Sequence, residues 1–430
     1  MNRSTDLHAE PCLGKPRVEP DAQAPGESRA AAAPSLTPAL IVFFSATVGV
    51  IILNLFAAQP LTGPISTELR LPASLTGLVA MLPQLGYAAG LVLLVPLIDL
   101  LENRRLIVTA LAVCAATLAL PAVTRSGAVL LAAVFVAGAT SSVIQMLVPI
   151  AASMAPDAQR GRAIGNVMSG LMLGILLSRP IASLIAGTAG WRAFYGAAAA
   201  ADAALAAVLA VTLPRRAPAL SARYATLLGS LWTLVATERV LQRCALSAAL
   251  AMGAFSAFWT AIGLRLAAPP FGLGLHGIAW FAFAGATGAI VTPFAGRAGD
   301  LGWERGTRIG AHVAMFAALV TLGIAGAGWG GFDAAAHPTL ALALLVAGAA
   351  VLDAGVVVDQ TLGRRAVNLL NPAARGRLNG LFVGLFFVGG ALGAMLAGAA
   401  WAWSGWGAVC ALGFGFAWAA LMLDWRHEAR

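Results

Sequence analysis

The chain has 430 residues, 60% of them hydrophobic and only 10% charged, with a mean hydropathy of +0.84. A soluble chain of this length needs roughly a quarter of its residues charged to cover its surface, so a soluble enzyme is excluded. The formal net charge of +9 would suit nucleic acid, but the charges sit between long apolar runs, which makes the lipid bilayer the partner and excludes a nucleic-acid binder.

Residues 1–36 are rich in Pro, Ala, Glu and Arg, have no apolar periodicity, and read as a disordered tail. The first apolar run starts too late and runs too long for a signal peptide. Twelve runs then follow, near 37–57, 74–97, 106–123, 127–152, 164–187, 193–213, 243–264, 277–296, 309–327, 339–358, 379–400 and 407–424. Each approaches the roughly 20 residues that a helix needs to cross a hydrocarbon core about 30 Å thick. The fold class expected is an all-α membrane protein. Residues 37–213 make one six-helix half, residues 243–430 make a second with a short tail, and residues 214–242 join them. Within that joining segment, Tyr224–Thr237 can lie along the membrane surface with Trp232 at the interface.

Counted from a cytoplasmic N-terminus, 27 Lys and Arg residues fall on the inner side except Arg70, Arg125, Arg192 and Arg265 outside and Arg179 within a span. Positive residues stay inside, so both termini are expected in the cytoplasm and the chain in the cell inner membrane, as a monomer. Cys12, Cys114, Cys244 and Cys410 form no CxxC pair, and the last three read as small buried apolar residues. No HxxxH pair appears either, and His312, near the inner start of a span, reads as a packing residue. No metal or cofactor is indicated.

Two loops recur about 200 residues apart, an offset that suggests parallel repeats with a substrate site between them near the midplane. Asp99-Leu-Leu-Glu-Asn-Arg104-Arg105 after the second run corresponds to Gly296-Arg-Ala-Gly-Asp300 and Arg305 after the eighth. Arg160-Gly-Arg162 with Gly165 after the fourth corresponds to Arg375-Gly-Arg377 with Gly380 after the tenth. An acid such as Asp99 at a helix end can accept hydrogen bonds from helix N-terminal amides and pair with nearby arginines. The set Asp99, Arg104, Arg105, Gly296, Asp300 and Arg305 is therefore expected to gate the inner face as the halves rock.

On these residues the chain resembles the major facilitator superfamily, over essentially everything after the tail. The family's loop signature, Gly-x-x-x-Asp-Arg-x-Gly-Arg-Arg, is matched by Asp99 and Arg104, with Val95 in place of the first glycine and Leu100, Glu102 and Asn103 in place of the next Arg, Gly and Arg; the second copy keeps Gly296, Asp300 and Arg305 at the signature spacing. Ala58-Gln59-Pro60-Leu61, Gln84-Leu-Gly-Tyr87, Gly165-Asn-Val-Met-Ser-Gly170 and Gly190-Trp191-Arg192 look like its bacterial drug and metabolite efflux branch. The resemblance implies twelve helices in two six-helix pseudo-repeat halves, helices one and four bordering a cavity, and helix six at the periphery. It makes Asn54 and Gln145 plausible substrate contacts, with Gln84 a further polar candidate in helix two. The antiporter signature of helix five ends in Gly-Pro, where this chain has Arg179-Pro180.

Charges inside a span are functional candidates by default. Arg179 can attract an anionic or polar substrate, or else snorkel to the outer interface. Asp353 is the leading proton-coupling residue, since a buried carboxyl group is suited to binding and releasing protons. Gln360 follows seven residues later near the same face, whereas Asp359 points elsewhere, near the inner water. Arg179 and Asp353 are placed at different depths, without direct pairing, and Asp202 is given a structural role. The expected function is alternating-access export of a small-molecule drug or metabolite in exchange for protons. Metabolite uptake by proton symport or facilitated diffusion is the alternative, and a non-transporting membrane receptor or assembly partner is the alternative of another class.

Overall fold

A computed structural model describes residues 37–156, 159–215, 223–371 and 374–426; the expected tail, 1–36, lies outside them. Helix α1 (Pro38–Phe56) begins where the Thr37 hydroxyl accepts from the Leu40 N–H at 3.3 Å. Pro38 then occupies the first turn, where its missing N–H has no intrahelical partner to lose. Beyond Ala57 the helix continues through Ala58–Glu68. There follow α2 (Ala73–Asp99), α3 (Asn103–Val123), α4 (Gly127–Met154), α5 (Arg160–Ala189) and α6 (Trp191–Thr212). The short α7 (Tyr224–Thr237) leads into α8 (Arg239–Ala267), α9 (Leu275–Asp300), α10 (Glu304–Ala327) and α11 (Pro338–Leu370). The last helical stretch, Arg375–Arg426, leaves helical geometry at Ser404 and at Gly405. There φ is 63° at Gly405, a value that a side chain would resist. That turn separates α12 (residues 375–403) from α13 (residues 406–426).

Among the described residues eleven helical stretches are long and apolar enough to cross a bilayer, all but α7; the break at Ser404 and Gly405 divides the last of them into two, which gives twelve crossings in two sets of six. An even number of crossings places Thr37 and the end of α13 on one side, the terminal face; the other side is the distal face. Two helices outrun their apolar runs. The sequence ends the first near residue 57 and the tenth near residue 358, yet α1 reaches Glu68 and α11 reaches Leu370. Hydropathy stops at polar residues, whereas the backbone needs its hydrogen bonds for as long as protein surrounds it.

The repeat is visible in how helices touch. A Cβ at Gly170 would meet the Ser45 carbonyl oxygen and one at Gly174 the Gly49 carbonyl oxygen, so α1 and α5 lie backbone against backbone. In the second half, Gly389 and Gly393 stand in the same relation to the carbonyls of Ala249 and Gly253 on α8. Small residues four apart permit this approach where lipid offers no hydrophobic drive for helix association.

The halves meet closely at the distal face. Thr62 Oγ1 donates to the Thr260 carbonyl at 3.2 Å, Gly77 lies against the Ala394 carbonyl, and Gly187 lies against the His276 ring. There, too, Glu68 accepts from the Trp191 indole and from Arg192, while Arg192 donates to the Thr124 carbonyl at 2.9 Å. That gives the Gly190-Trp191-Arg192 motif a structural task, fixing the α5–α6 corner to the end of α1. At the terminal face α7 touches both halves: Tyr224 donates to the Leu93 carbonyl at 2.7 Å, and Arg377 donates to Ser230 at 3.0 Å. Trp232 is exposed on α7.

Candidate functional site

The cavity between the halves is walled by α1, α2, α4 and α5 on one side and by α8, α9, α11 and α12 on the other. It leaves about 90 Å³ for the centres of water-sized molecules, where one water needs roughly 10–15 Å³ on the same measure. A small solute or several waters fit.

Arg179 and Asp353 share its deep end. Arg179 is 2% exposed and its Nε donates to Gln59 Oε1 at 2.8 Å. Its guanidinium lies 4.2 Å from the Trp259 ring centre, 4.9 Å from Phe255 and 5.4 Å from Phe56. Aromatic faces attract a cation, more strongly where water is excluded, so the snorkelling alternative gives way to a charge held inside. Asp353 accepts from Trp259 Nε1 at 2.8 Å. A Cβ at Gly285 of α9 would stand 2.7 Å from Asp353 Oδ2 and 3.6 Å from Arg179 Nη1. The two charged groups are thus no more than about 6 Å apart, near enough for strong attraction away from bulk water. Contrary to the expected separation in depth, the two side chains meet, because the length of an arginine closes the gap between their helices. They make no ion pair within hydrogen-bonding distance of each other, and Arg179 Nη2 has no hydrogen-bond partner among the described residues.

Gln145 and Gln360 also line the cavity, and Gln145 Nε2 donates to the Tyr87 hydroxyl at 3.2 Å. Asn54 and Gln84 do not line it. Ile52 and Phe56 of α1 face the cavity, so Asn54, two residues from each, points about 200° away. There its Nδ2 donates to Asp202 Oδ2 at 2.9 Å and lies 3.7 Å from Cys114 Sγ. Asp202 is accordingly a packing acid between α1, α3 and α6. Gln84 accepts from Ser256 at 3.1 Å and so binds α2 to α8 across the halves; Tyr87, one turn on, is the α2 residue that reaches the cavity. The sequence offered Gln59 and Tyr87 only as motif residues, and it gave no sign of Trp259 or Arg364. For the first three the signal was weak, because an aromatic or an amide in an apolar run is usually packing.

The two signature loops differ. Asp300 pairs with Arg365, which also lies 3.3 Å from Glu304. A Cβ at Gly299 would meet Arg365 Nη1 at 2.9 Å, whereas one at Gly296 meets nothing. Arg305 follows Glu304 on exposed surface. Asp99 makes no hydrogen bond or ion pair among the described residues. The helix amides expected to engage it are taken by Glu102, whose carboxylate accepts from the Arg104 and Arg105 N–H groups at 3.1 and 3.3 Å.

A second buried charge cluster lies toward the terminal face. Asp359 is buried, contrary to its expected place near water, and accepts from Ser247 at 2.9 Å. His312 stands 3.2 Å from Asp359 and 3.6 Å from Asp424, so it bridges two carboxylates instead of merely packing. Arg243 and Arg308 reach Asp424 at 3.0 and 3.6 Å. The ligand atoms of His312, Asp359 and Asp424 lie within 4.8 Å of one another, a spacing a cation could use. Two guanidinium groups already balance the two acids, however, and that makes the cluster an ion-pair lock joining α8, α10, α11 and α13.

A profile of the Major Facilitator Superfamily matches residues 39–350. The chain belongs to this superfamily. It is 36% identical over 391 residues to the uncharacterized transporter YgaY of Escherichia coli, covering 91% of this chain and 96% of that one. Among solved structures it is similar to a mutant of the peptide transporter POT in complex with sulfate, with a TM-score of 0.72 and 16% identity over 93% of this chain and 97% of the other. It is likewise similar to the nucleoside transporter NupG, with a TM-score of 0.66 and 15% identity over 90% and 98%. At these identities the structures establish the fold alone. The protein is therefore a multi-pass transporter of the superfamily and not an enzyme.

Proposed function

We propose that this transporter moves a small organic solute by alternating access and couples the movement to protons through Asp353. The observation that carries this reading is the meeting of Arg179, from the first half, with Asp353, from the second, on one central cavity. While Asp353 is ionised, attraction between the two charges holds the halves together. A proton on Asp353 removes that attraction and favours separation, so proton occupancy biases the equilibrium between states. Arg179 from α5 is the charged group facing Asp353; α8 contributes Trp259, α9 contributes Gly285, and Arg364 lies farther along α11 itself.

The close contacts at the distal face correspond to a state shut on that side. With the termini in the cytoplasm of a bacterial inner membrane, that side is the outside. Export in exchange for protons is the direction that the efflux-like motifs support. Uptake together with protons is the second reading, favoured by the excess positive charge on the cavity wall. The two differ in sign: solute and proton compete in the first and bind jointly in the second.

The test is purified protein in liposomes with an imposed pH gradient, reading internal pH while solutes are added. Solute-driven proton movement should vanish in Asp353→Asn, leaving at most gradient-independent exchange. Proton movement that survives this substitution would remove the coupling role from Asp353.

A further inference from the structure

Arg364 and Arg365 are neighbours on α11 with opposite surroundings. Arg365 turns to the terminal face and pairs with Asp300 and Glu304. Arg364, about 100° around the helix, lines the cavity. It makes no hydrogen bond or ion pair among the described residues, and its Nε is buried without a partner. Among the described residues, the other arginines of this half that are not exposed are engaged: Arg243 and Arg308 by Asp424, Arg265 by the carbonyls of Gly326 and Pro269, and Arg365 by its two acids. A cation left unpaired within a membrane span is costly, and such groups mark substrate paths.

The charges on the cavity wall are Arg179, Arg364 and Asp353, an excess of one positive charge. Asp353 partly neutralises Arg179, yet Arg179 still has an unpartnered, fully buried Nη2. Arg364 lies eleven residues from Asp353, about 16 Å nearer the terminal face at 1.5 Å per residue. Tyr87, Gln145 and Gln360 supply neutral polar groups on the same wall, while Phe255, Phe386 and Phe387 supply an apolar one. Unpaired positive charge beside aromatic surface is complementary to a negative head on an apolar body.

We infer that the substrate is an amphipathic organic anion whose carboxylate, or an equivalent anionic head, is bound by Arg364 while its apolar body lies against the phenylalanines toward Arg179. This inference deepens the transport reading and rests on it.

The test uses matched ligands that differ only in the charge of the head: 4-phenylbutyrate, 4-phenylbutanamide and 4-phenylbutylamine, with the corresponding octyl and indolylpropyl sets. Calorimetry on the purified full chain should show the acids binding about 10- to 100-fold more tightly than their amides, the range for a charge-assisted contact away from water. The amines should bind most weakly. Arg364→Gln should erase the difference between acid and amide, and Arg364→Lys, which keeps the charge without the planar fork, should retain part of it. Size-exclusion profiles matching the unmodified protein establish that both variants fold. Amines binding most tightly, acids and amides binding alike, or discrimination that persists in Arg364→Gln would overturn the inference. Uptake of the tightest ligand into proteoliposomes separates the two levels. A transported amine defeats the anion assignment alone, whereas an acid that binds and is never transported defeats the transport reading.

Discussion

The two halves bury acids in different company. In the first half, Asp202 is fully buried among neutral groups, with Asn54 donating to it and Cys114 beside it. In the second, Asp359 and Asp424 are locked by His312, Arg243 and Arg308, while Asp353 lies on the cavity facing a guanidinium from the opposite half. All four are buried, so burial by itself cannot identify a proton carrier. Asp353 differs by position: it lines the central cavity and faces Arg179 of the other half.

The sharpest way to break this comparison is to remove each acid and compare the losses. Asp353→Asn should reduce proton-coupled movement to background while leaving the fold intact, measured as internal pH change in liposomes. Asp424→Ala should act on stability, because it strands two arginines and a histidine. Losing one partner of a buried pair costs about 3–5 kcal/mol, a loss that denaturant or thermal unfolding in detergent would show. Asp202→Ala should cost less, about 1–3 kcal/mol, the penalty of leaving Asn54 without its acceptor. Proton coupling should persist in that variant, and its disappearance would show that Asp202 shares the work of Asp353.

The smallest expected effects belong to the signature loops. Asp300→Asn loses a partly exposed pair with Arg365 and should cost no more than about 1 kcal/mol. Asp99→Asn should leave stability unchanged in the state described here, where Asp99 has no partner among the described residues. If Asp99→Asn slows transport all the same, the first loop engages its partners in the alternate state and the two loops lock opposite ends of the cycle. Equal effects on stability from both variants would contradict the asymmetry between the loops.

Much of the fold was legible in the sequence, because lipid imposes a strong constraint. A helix must satisfy its own backbone and carry about 20 apolar residues to cross, so twelve runs, their order and the repeat with its paired loops could be read directly. Arg179 and Asp353 were legible for the same reason, as charges are conspicuous where they are expensive. Arg364 was not: the polar residues from Asp359 to Arg365 resemble a loop, and only the continuing helix of α11 carries them into protein.

What the tertiary structure alone decided is direction around each helix axis and company across helices. A single amide in an apolar run can face the cavity, as Gln145 does, or a neighbouring helix, as Asn54 does. Two residues of displacement turn a side chain to the far side of the helix, and hydropathy has no term for that rotation. The sequence by itself therefore determined a twelve-helix membrane transporter built from two related halves. Packing determined that Arg179 and Asp353 come together while Asn54 and Gln84 hold helices to one another, because contacts between distant segments depend on which faces the bundle turns inward.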